Sequence, residues 1–414
     1  MVKEYYEKYL QLGYKPSKDD LICLYKIKPA KGITMKQAAG GVAAESSIGT
    51  WTEVTTMTPK IKALGAKVFS IKGNFVKIAY PFELFELGNM PQIWSSVAGN
   101  IFNMKDIATL RLEDAQWPAK LAKSFLGPKF GIFGVRKLFR IPKRPLCGTI
   151  IKPKLGLSSK EHAKVAYQAW TGSMNIVKDD ENLTSQSFNK FHERVVETLK
   201  QRDLAEKETG ERKVYMPNIS AETNEMLRRA RFVKNCGGEY AMVDILTVGW
   251  SGLQALREAN EDLRLVLHAH RAMHGAMTRN TNHGISMNFI VDCTRLVGLD
   301  QLHIGTTIGK MLETKEEVIA YQQKLKREFF GIKPVFPVCS GGLHPGLIPP
   351  LIKMLGKDII VQAGGGVHGH PQGTKAGAMA MRQAIDAVIA GESLVEYART
   401  HKELELAIKK WVLK

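Results

Sequence analysis

From Leu146 onward the chain alternates short apolar or β-prone runs with stretches of helical composition. The runs are GTII ending at Ile151, MNIV at Val177, KVYMPN at Asn218, YAMVD at Asp244, LRLVLHAH at His270, QLHI at Ile304, KPVFPVCS at Ser340 and DIIVQ at Gln362. Between them lie SSKEHAKVAYQAW, where Ser158 and Glu161 fit a capping box, SFNKFHERVVETLKQRDLAEKE and EEVIAYQQKLKREFF. Eight strands alternating with helices predict a (β/α)8 barrel, although strand count alone leaves a doubly wound open sheet as the competing architecture. The earlier residues have a different rhythm. DLICLYKIKPA reads as a strand, TMKQAAGGVAAESS as a helix, and AKVFSIKGNFVKIAYP as a hairpin turning at Gly73-Asn74. PQIWSSVAGN then reads as a second helix and ATLRLEDAQWP as another strand, which makes a small α+β unit. The Gly-, Pro- and base-rich segment from Phe125 to Pro145 marks the boundary, giving domains 1–125 and 126–414.

Composition narrows the class. The 414 residues are 44% hydrophobic and 24% charged, and no run of about 18 apolar residues could span a membrane. The start, MVKEYYEKYLQLGYKPSKDD, lacks the apolar stretch of a signal peptide. Five scattered cysteines, Cys23, Cys147, Cys236, Cys293 and Cys339, form no C-x-x-C. That argues for a reducing cytoplasm and against a disulfide framework or a zinc site. The net charge of +19 raises the odds of a polyanionic partner, either nucleic acid or a phosphorylated substrate. Basic residues are spread along the chain without a long tract or a nucleic-acid signature, which points away from nucleic acid.

Chemistry gathers at the strand ends. They carry Lys152 and Lys154; Lys178, Asp179, Asp180 and Glu181; Asn218; Asp244; His268, His270 and Arg271; His303; Ser340, Gly341 and Gly342; and Gly364, Gly365 and Gly366. In a (β/α)8 barrel all strand C-termini open on one face, where the active site is built. The glycine clusters after the last two strands suit a phosphate held on backbone N–H groups, and tight turns would need glycine as well. Lysines and Arg271 provide further cationic sites, so a substrate with two phosphates would span the mouth. In NIVKDDEN, residues 175–182, three acids beside a lysine suit a divalent cation such as Mg2+; a Lys–Asp ion pair is the plainer reading. A protonated lysine has no lone pair for a metal.

Longer motifs resemble a family. KPKLGL (152–157), KDDENLTSQ (178–186), HAHRAMHGAMTRNTNHGIS (268–286), LHIGTTIGKM (302–311), SGGLHPG (340–346) and QAGGGVHGHPQG (362–373) closely resemble the large subunit of ribulose-1,5-bisphosphate carboxylase/oxygenase (RuBisCO). AAESSIGTWTEV (43–54) and GNIFNMKDIATLRLED (99–114) resemble its N-terminal domain, and the likeness is greatest to the archaeal-type form III enzymes. The resemblance covers nearly the whole chain. It implies an α/β fold: a ferredoxin-like α+β domain, then a (β/α)8 TIM barrel with C-terminal helices.

The implied activity is carboxylation, and oxygenation, of ribulose 1,5-bisphosphate to 3-phosphoglycerate through a Mg-bound enediolate, linked to nucleotide (AMP) salvage. Lys178 then corresponds to the lysine that CO2 carbamylates, a metal ligand and base, joined on Mg2+ by Asp180 and Glu181. Lys152 corresponds to the proton-shuttling lysine, Lys154 and His270 support proton transfer, and Lys310 stabilises the carboxylate formed on CO2 addition. Arg271, His303, Ser340, Gly341, Gly342, Gly364 and Gly365 correspond to bisphosphate clamps, with Gln362 and Ala363 lining the last one. Glu45, Thr50, Trp51 and Asn100 match residues that the family's N-terminal domain lends to a neighbouring subunit's barrel. That implies a homodimer or an assembly of dimers, with no small subunit, membrane or nucleic acid.

Several positions depart from the family pattern. Ile150 stands where many members have threonine, and MLETKEEV after Lys310 lacks the usual glycine. The other readings are a RuBisCO-like enolase or isomerase of a diketo phosphate in methionine salvage and, more distantly, a basic nucleic-acid-binding or scaffold protein. Retention of Lys310, Glu45, Thr50, Trp51, Arg271 and His303 favours the carboxylase over both.

Overall fold

The structure is a computed structural model that describes residues 2–309 and 312–413. Its strands in chain order are β1 (Leu21–Pro29), β2 (Lys67–Lys72), β3 (Phe75–Tyr80), β4 (Ile107–Gln116), β5 (Leu146–Ile150), β6 (Ile176–Lys178), β7 (Val214–Met216), β8 (Tyr240–Asp244), β9 (Val266–His270), β10 (Gly284–Ile285), β11 (Gln301–His303), β12 (Phe336–Ser340) and β13 (Ile360–Gln362). The chain divides into two compact units. One holds the residues up to Leu126 with Met273–Val297 and Phe329–Ile332; the other holds Gly127–Ala272, Gly298–Glu328 and the chain from Lys333 on.

The first unit is built on a five-stranded sheet in the order β10-β4-β1-β3-β2. Alternation on β1 sets its buried face: Leu21, Cys23, Tyr25 and Ile27 are fully buried while the residues between them are not. The helix Met35–Glu45 starts at a capping box between Thr34 and Gln37 and packs against β1. The sequence reading ran the barrel domain unbroken from residue 126, whereas Met273–Val297 belongs with the first unit. Contacts within that unit explain the assignment. Gly284 pairs with Arg111 of β4, the Arg111 guanidinium donates to the Asn280 carbonyl at 2.6 Å, and the Phe289 ring contacts the rings of both Trp94 and Trp117.

The second unit is an eight-stranded parallel sheet in the order β7-β6-β5-β13-β12-β11-β9-β8. All eight strands expected from the apolar runs are present. Closure rests on β7 and β8: Asn218 bridges Met242, whose N–H donates to the Pro217 carbonyl at 2.9 Å. The Met242 carbonyl accepts from the Ile219 N–H at 3.0 Å, so the sheet is a barrel and not an open layer. Residues two apart share a face, and the inward columns change character along each strand. At the N-terminal end Leu146, Ile176, Val214, Tyr240, Val266, Phe336 and Ile360 pack into one core with Met216, Met242 and Val338 above them. The same columns finish at Lys178, Asp244, His268 with His270, His303, Ser340 and Gln362. Apolar filling below and polar ends above therefore arise from one period-2 pattern.

Candidate active site

Lys178 closes β6 and is 1% exposed. Its Nζ donates to its neighbour's carbonyl, that of Asp179, at 2.7 Å and lies 3.2 Å from Met242 Sδ. Burial pushes its pKa below the ordinary lysine value, and the carboxylates of Glu181, Asp180 and Asp244 only partly offset this. Asp179, one residue on, turns to the opposite side. It accepts from Arg194 Nε at 3.1 Å, the Tyr215 hydroxyl at 2.7 Å and the Asn218 N–H at 2.9 Å. Burial opposes its charge, but Arg194 and His162 hold it well below the usual carboxylate range. It is a buried structural anion.

Asp180 and Glu181 stay at the mouth. Asp180 Oδ2 accepts from Lys152 Nζ, while Oδ1 is buried without a hydrogen-bond partner, 3.8 Å from Lys154 Nζ. Lys154 also lies 3.7 Å from Glu181 Oε1 and donates to Asn182 Oδ1 at 3.1 Å. Burial works against the Glu181 charge, yet His270 and Lys178 hold its pKa below the usual carboxylate value. An unsatisfied buried carboxylate oxygen beside a second carboxylate suits a hard cation with oxygen ligands. Among the described residues no group of three or more His, Cys, Asp or Glu side chains is arranged to hold a metal.

The histidines form two sets. His270 Nδ1 lies 2.9 Å from Asp244 Oδ1, and a carboxylate only accepts, so Nδ1 carries the hydrogen. Nε2 then faces Glu181 Oε2 at 3.8 Å. Asp244 was read from the sequence as a strand end and given no role. Its register partner on β9 is His270, and only that pairing shows what it orients. The second set is a chain. Gln301 Nε2 donates to the Tyr240 hydroxyl at 3.2 Å, which leaves Gln301 Oε1 to accept from His268 Nδ1 at 2.9 Å. His268 Nε2 therefore accepts from His303 Nε2 at 2.9 Å, and His303 Nδ1 accepts from the Ser340 hydroxyl at 2.8 Å. Burial drives both histidines far below their ordinary pKa, so both are neutral.

Arg271 follows β9, is 6% exposed, and pairs through Nη2 with Glu313 Oε1 at 2.6 Å. Gly341 and Gly342 have φ of +118° and +76°, conformations that side chains resist. At Gly364 a Cβ would come within 3.0 Å of Lys152 Cε, so backbone and lysine approach closely there. Gly365 would meet nothing within 4 Å. The Gln362 side chain is fully buried, and the Ala363 carbonyl accepts from the Thr149 hydroxyl at 2.7 Å. His368, from the same glycine-rich stretch, bonds the Thr149 hydroxyl and the Ile150 carbonyl, both at 3.0 Å, and had no role in the sequence reading.

Glu45, Thr50, Trp51 and Asn100 belong to the first unit. There Glu45 Oε1 accepts from the Tyr6 hydroxyl at 3.0 Å and Trp51 is 66% exposed. Lys310 lies outside the described residues.

Comparison with known proteins shows the family. Residues 131–411 match the ribulose bisphosphate carboxylase large chain, catalytic domain, and residues 8–121 match its N-terminal domain. The ribulose bisphosphate carboxylase of Methanosarcina barkeri is 50% identical over 98% of this chain and 99% of that protein. That of Pyrococcus abyssi is 48% identical over 99% and 98%. The octameric RuBisCO of Pyrococcus horikoshii, solved with sulfate ion, superposes with a TM-score of 0.96 at 47% identity, over 99% of this chain and 97% of that one. The dimeric archaeal RuBisCO of Hyperthermus butylicus gives 0.92 at 44% identity, over 98% and 99%. The chain belongs to the ribulose bisphosphate carboxylase large-chain family.

Proposed function

We propose that the chain carboxylates ribulose 1,5-bisphosphate to give 3-phosphoglycerate, the activity named for its relatives. The observation that carries this reading is the buried, pKa-lowered Lys178 beside Asp180 and Glu181. A neutral Nζ adds to the carbon of CO2, forming an N–C bond and releasing a proton, which leaves a carbamate. When bound, Mg2+ held by Asp180, Glu181 and that carbamate supplies a Lewis acid, and the carbamate supplies a base, at the sugar.

The other groups bind and move protons. Arg271 and the glycine backbones after β12 and β13 hold the phosphates. Ser340 Oγ has given its hydrogen to His303, so it offers lone pairs to a sugar hydroxyl. Lys152 carries protons at the reacting carbons with Lys154 in support, and His270 exchanges a proton at Nε2 while Asp244 fixes its ring. Lys310 holds the carboxylate formed by CO2 addition. Glu45, Thr50, Trp51 and Asn100 complete the site of a second copy, which makes the working unit a homodimer or an assembly of dimers without a small subunit. Oxygenation of the same substrate, and its supply from nucleotide breakdown, belong to the same proposal.

Incubation with radiolabelled CO2, Mg2+ and ribulose bisphosphate tests the reading. Labelled 3-phosphoglycerate is expected from the wild type and not from Lys178→Ala. No label above that control overturns it, and turnover of a diketo phosphate alone would establish the enolase instead.

A further inference from the structure

We infer that Glu313 is an internal competitor for a substrate phosphate: its carboxylate sits on the Arg271 guanidinium and has to leave when the phosphate arrives. The inference rests on the reading of Arg271 as a phosphate holder. Three observations support it. First, Glu313 Oε1 lies 2.6 Å from Arg271 Nη2, with the two side chains 13% and 6% exposed, so the pair is largely desolvated. Second, Nη1, on the other arm of the guanidinium, is buried without a hydrogen-bond partner. A single carboxylate oxygen has engaged one arm of a group built to grip two acceptors, and a phosphate presents three oxygens. Third, Gly305 backs the pair. A Cβ there would lie 2.8 Å from Arg271 Nη2 and 3.1 Å from Glu313 Oε2, at a φ of +82° that favours glycine. The backbone has cleared room for one anion against this guanidinium.

The stretch that supplies Glu313 is MLETKEEV, where the chain departs from the family pattern. Thr314 caps the helix Lys315–Lys326 and forms a capping box with Glu317, which fixes the backbone next to Glu313. The acid is thus presented from a helix start. Without a counter-charge a buried guanidinium is costly, so Glu313 keeps Arg271 in place while the site is empty. A dianionic phosphate brings more charge and more acceptors than a carboxylate, so it wins; a singly charged anion does not. Glu313 therefore sets both the affinity for phosphate esters and their selection over weaker anions.

Calorimetric titration of full-length protein with inorganic phosphate tests this without turnover, using wild type, Glu313→Gln, Arg271→Ala and the double variant. If Glu313 occupies Arg271 in about nine of ten molecules, its removal tightens phosphate binding roughly tenfold. The gain has to vanish in the Arg271→Ala background. Unchanged or weaker binding by Glu313→Gln overturns the inference and makes Glu313 a scaffold for Arg271, as does an affinity indifferent to Arg271→Ala. Should Glu313→Gln fail to fold, Glu313→Asp, whose shorter arm reaches Arg271 poorly, is expected to give a smaller tightening, and none overturns the inference. Carboxylation measured separately keeps the two readings apart: an active enzyme lacking the shift loses only this inference, and an inactive protein showing it loses only the proposed function.

Discussion

Replacing Asp179 with asparagine tests the scaffold that holds Lys178. Asp179 and Arg194 are both fully buried, with Arg194 Nη2 at 3.1 Å and Arg194 Nε, the Tyr215 hydroxyl and the Asn218 N–H donating to the carboxylate. Removing one member of a buried ion pair leaves the other charge uncompensated, at a cost of about 3–5 kcal/mol. A domain's whole stability is typically about 5–15 kcal/mol, so the loss is a large share of it. The folded carboxyl is held far below its unfolded value of about 3.9. Its contribution is therefore complete above that pH and fades only as the pH falls toward the folded value. Urea titration followed by tryptophan fluorescence is expected to show the full deficit for Asp179→Asn at neutral pH. Asp179→Asn with Arg194→Met should recover most of it, because the orphaned charge is gone. A deficit under about 1 kcal/mol, or no recovery in the double variant, refutes the reasoning.

Asp244→Ala leaves His270 Nδ1 without its acceptor; kcat is expected to fall about a hundredfold with a small change in KM, and a steady-state comparison checks it. Gly364→Ala pushes a methyl to 3.0 Å from Lys152 Cε, so kcat should drop severalfold while the melting temperature stays near that of the wild type. His268 and His303 are buried and neutral, with folded pKa values well below the unfolded value of about 6.5. Their contribution is complete above that pH and lost below it, so the melting temperature should fall on acidification from about pH 7 to pH 5. A flat profile would contradict the neutral chain.

The barrel was legible because most of its strands are short apolar runs ending in a polar residue. That pattern is the inward column itself, Ile176 before Lys178 or Val338 before Ser340. Closure was not legible, since it depends on Asn218 meeting Met242 beyond the regular end of β7. Nor was β10, whose two residues are too few to alternate, so the packing of Phe289 with Trp94 and Trp117 was hidden inside a barrel motif. Within the site the residue types at the mouth could be read, but not their pairings. Asp244 with His270, Gln301 with His268, and Glu313 with Arg271 all depend on register or on loop paths between distant segments. The split of the acids after Lys178 could be read in part: Asp179 turns away, as strand alternation expects of the next residue.

The central claim is that Lys178 accepts CO2. Isotope-labelled CO2 added to the wild type with Mg2+ is expected to produce a carbamate carbonyl signal in carbon NMR that is missing from Lys178→Ala. Because burial lowers the Lys178 pKa, that signal should reach its plateau below the pH at which an ordinary lysine titrates. A carbamate signal that survives in Lys178→Ala, or no signal in a wild type that still carboxylates ribulose bisphosphate, would contradict the account.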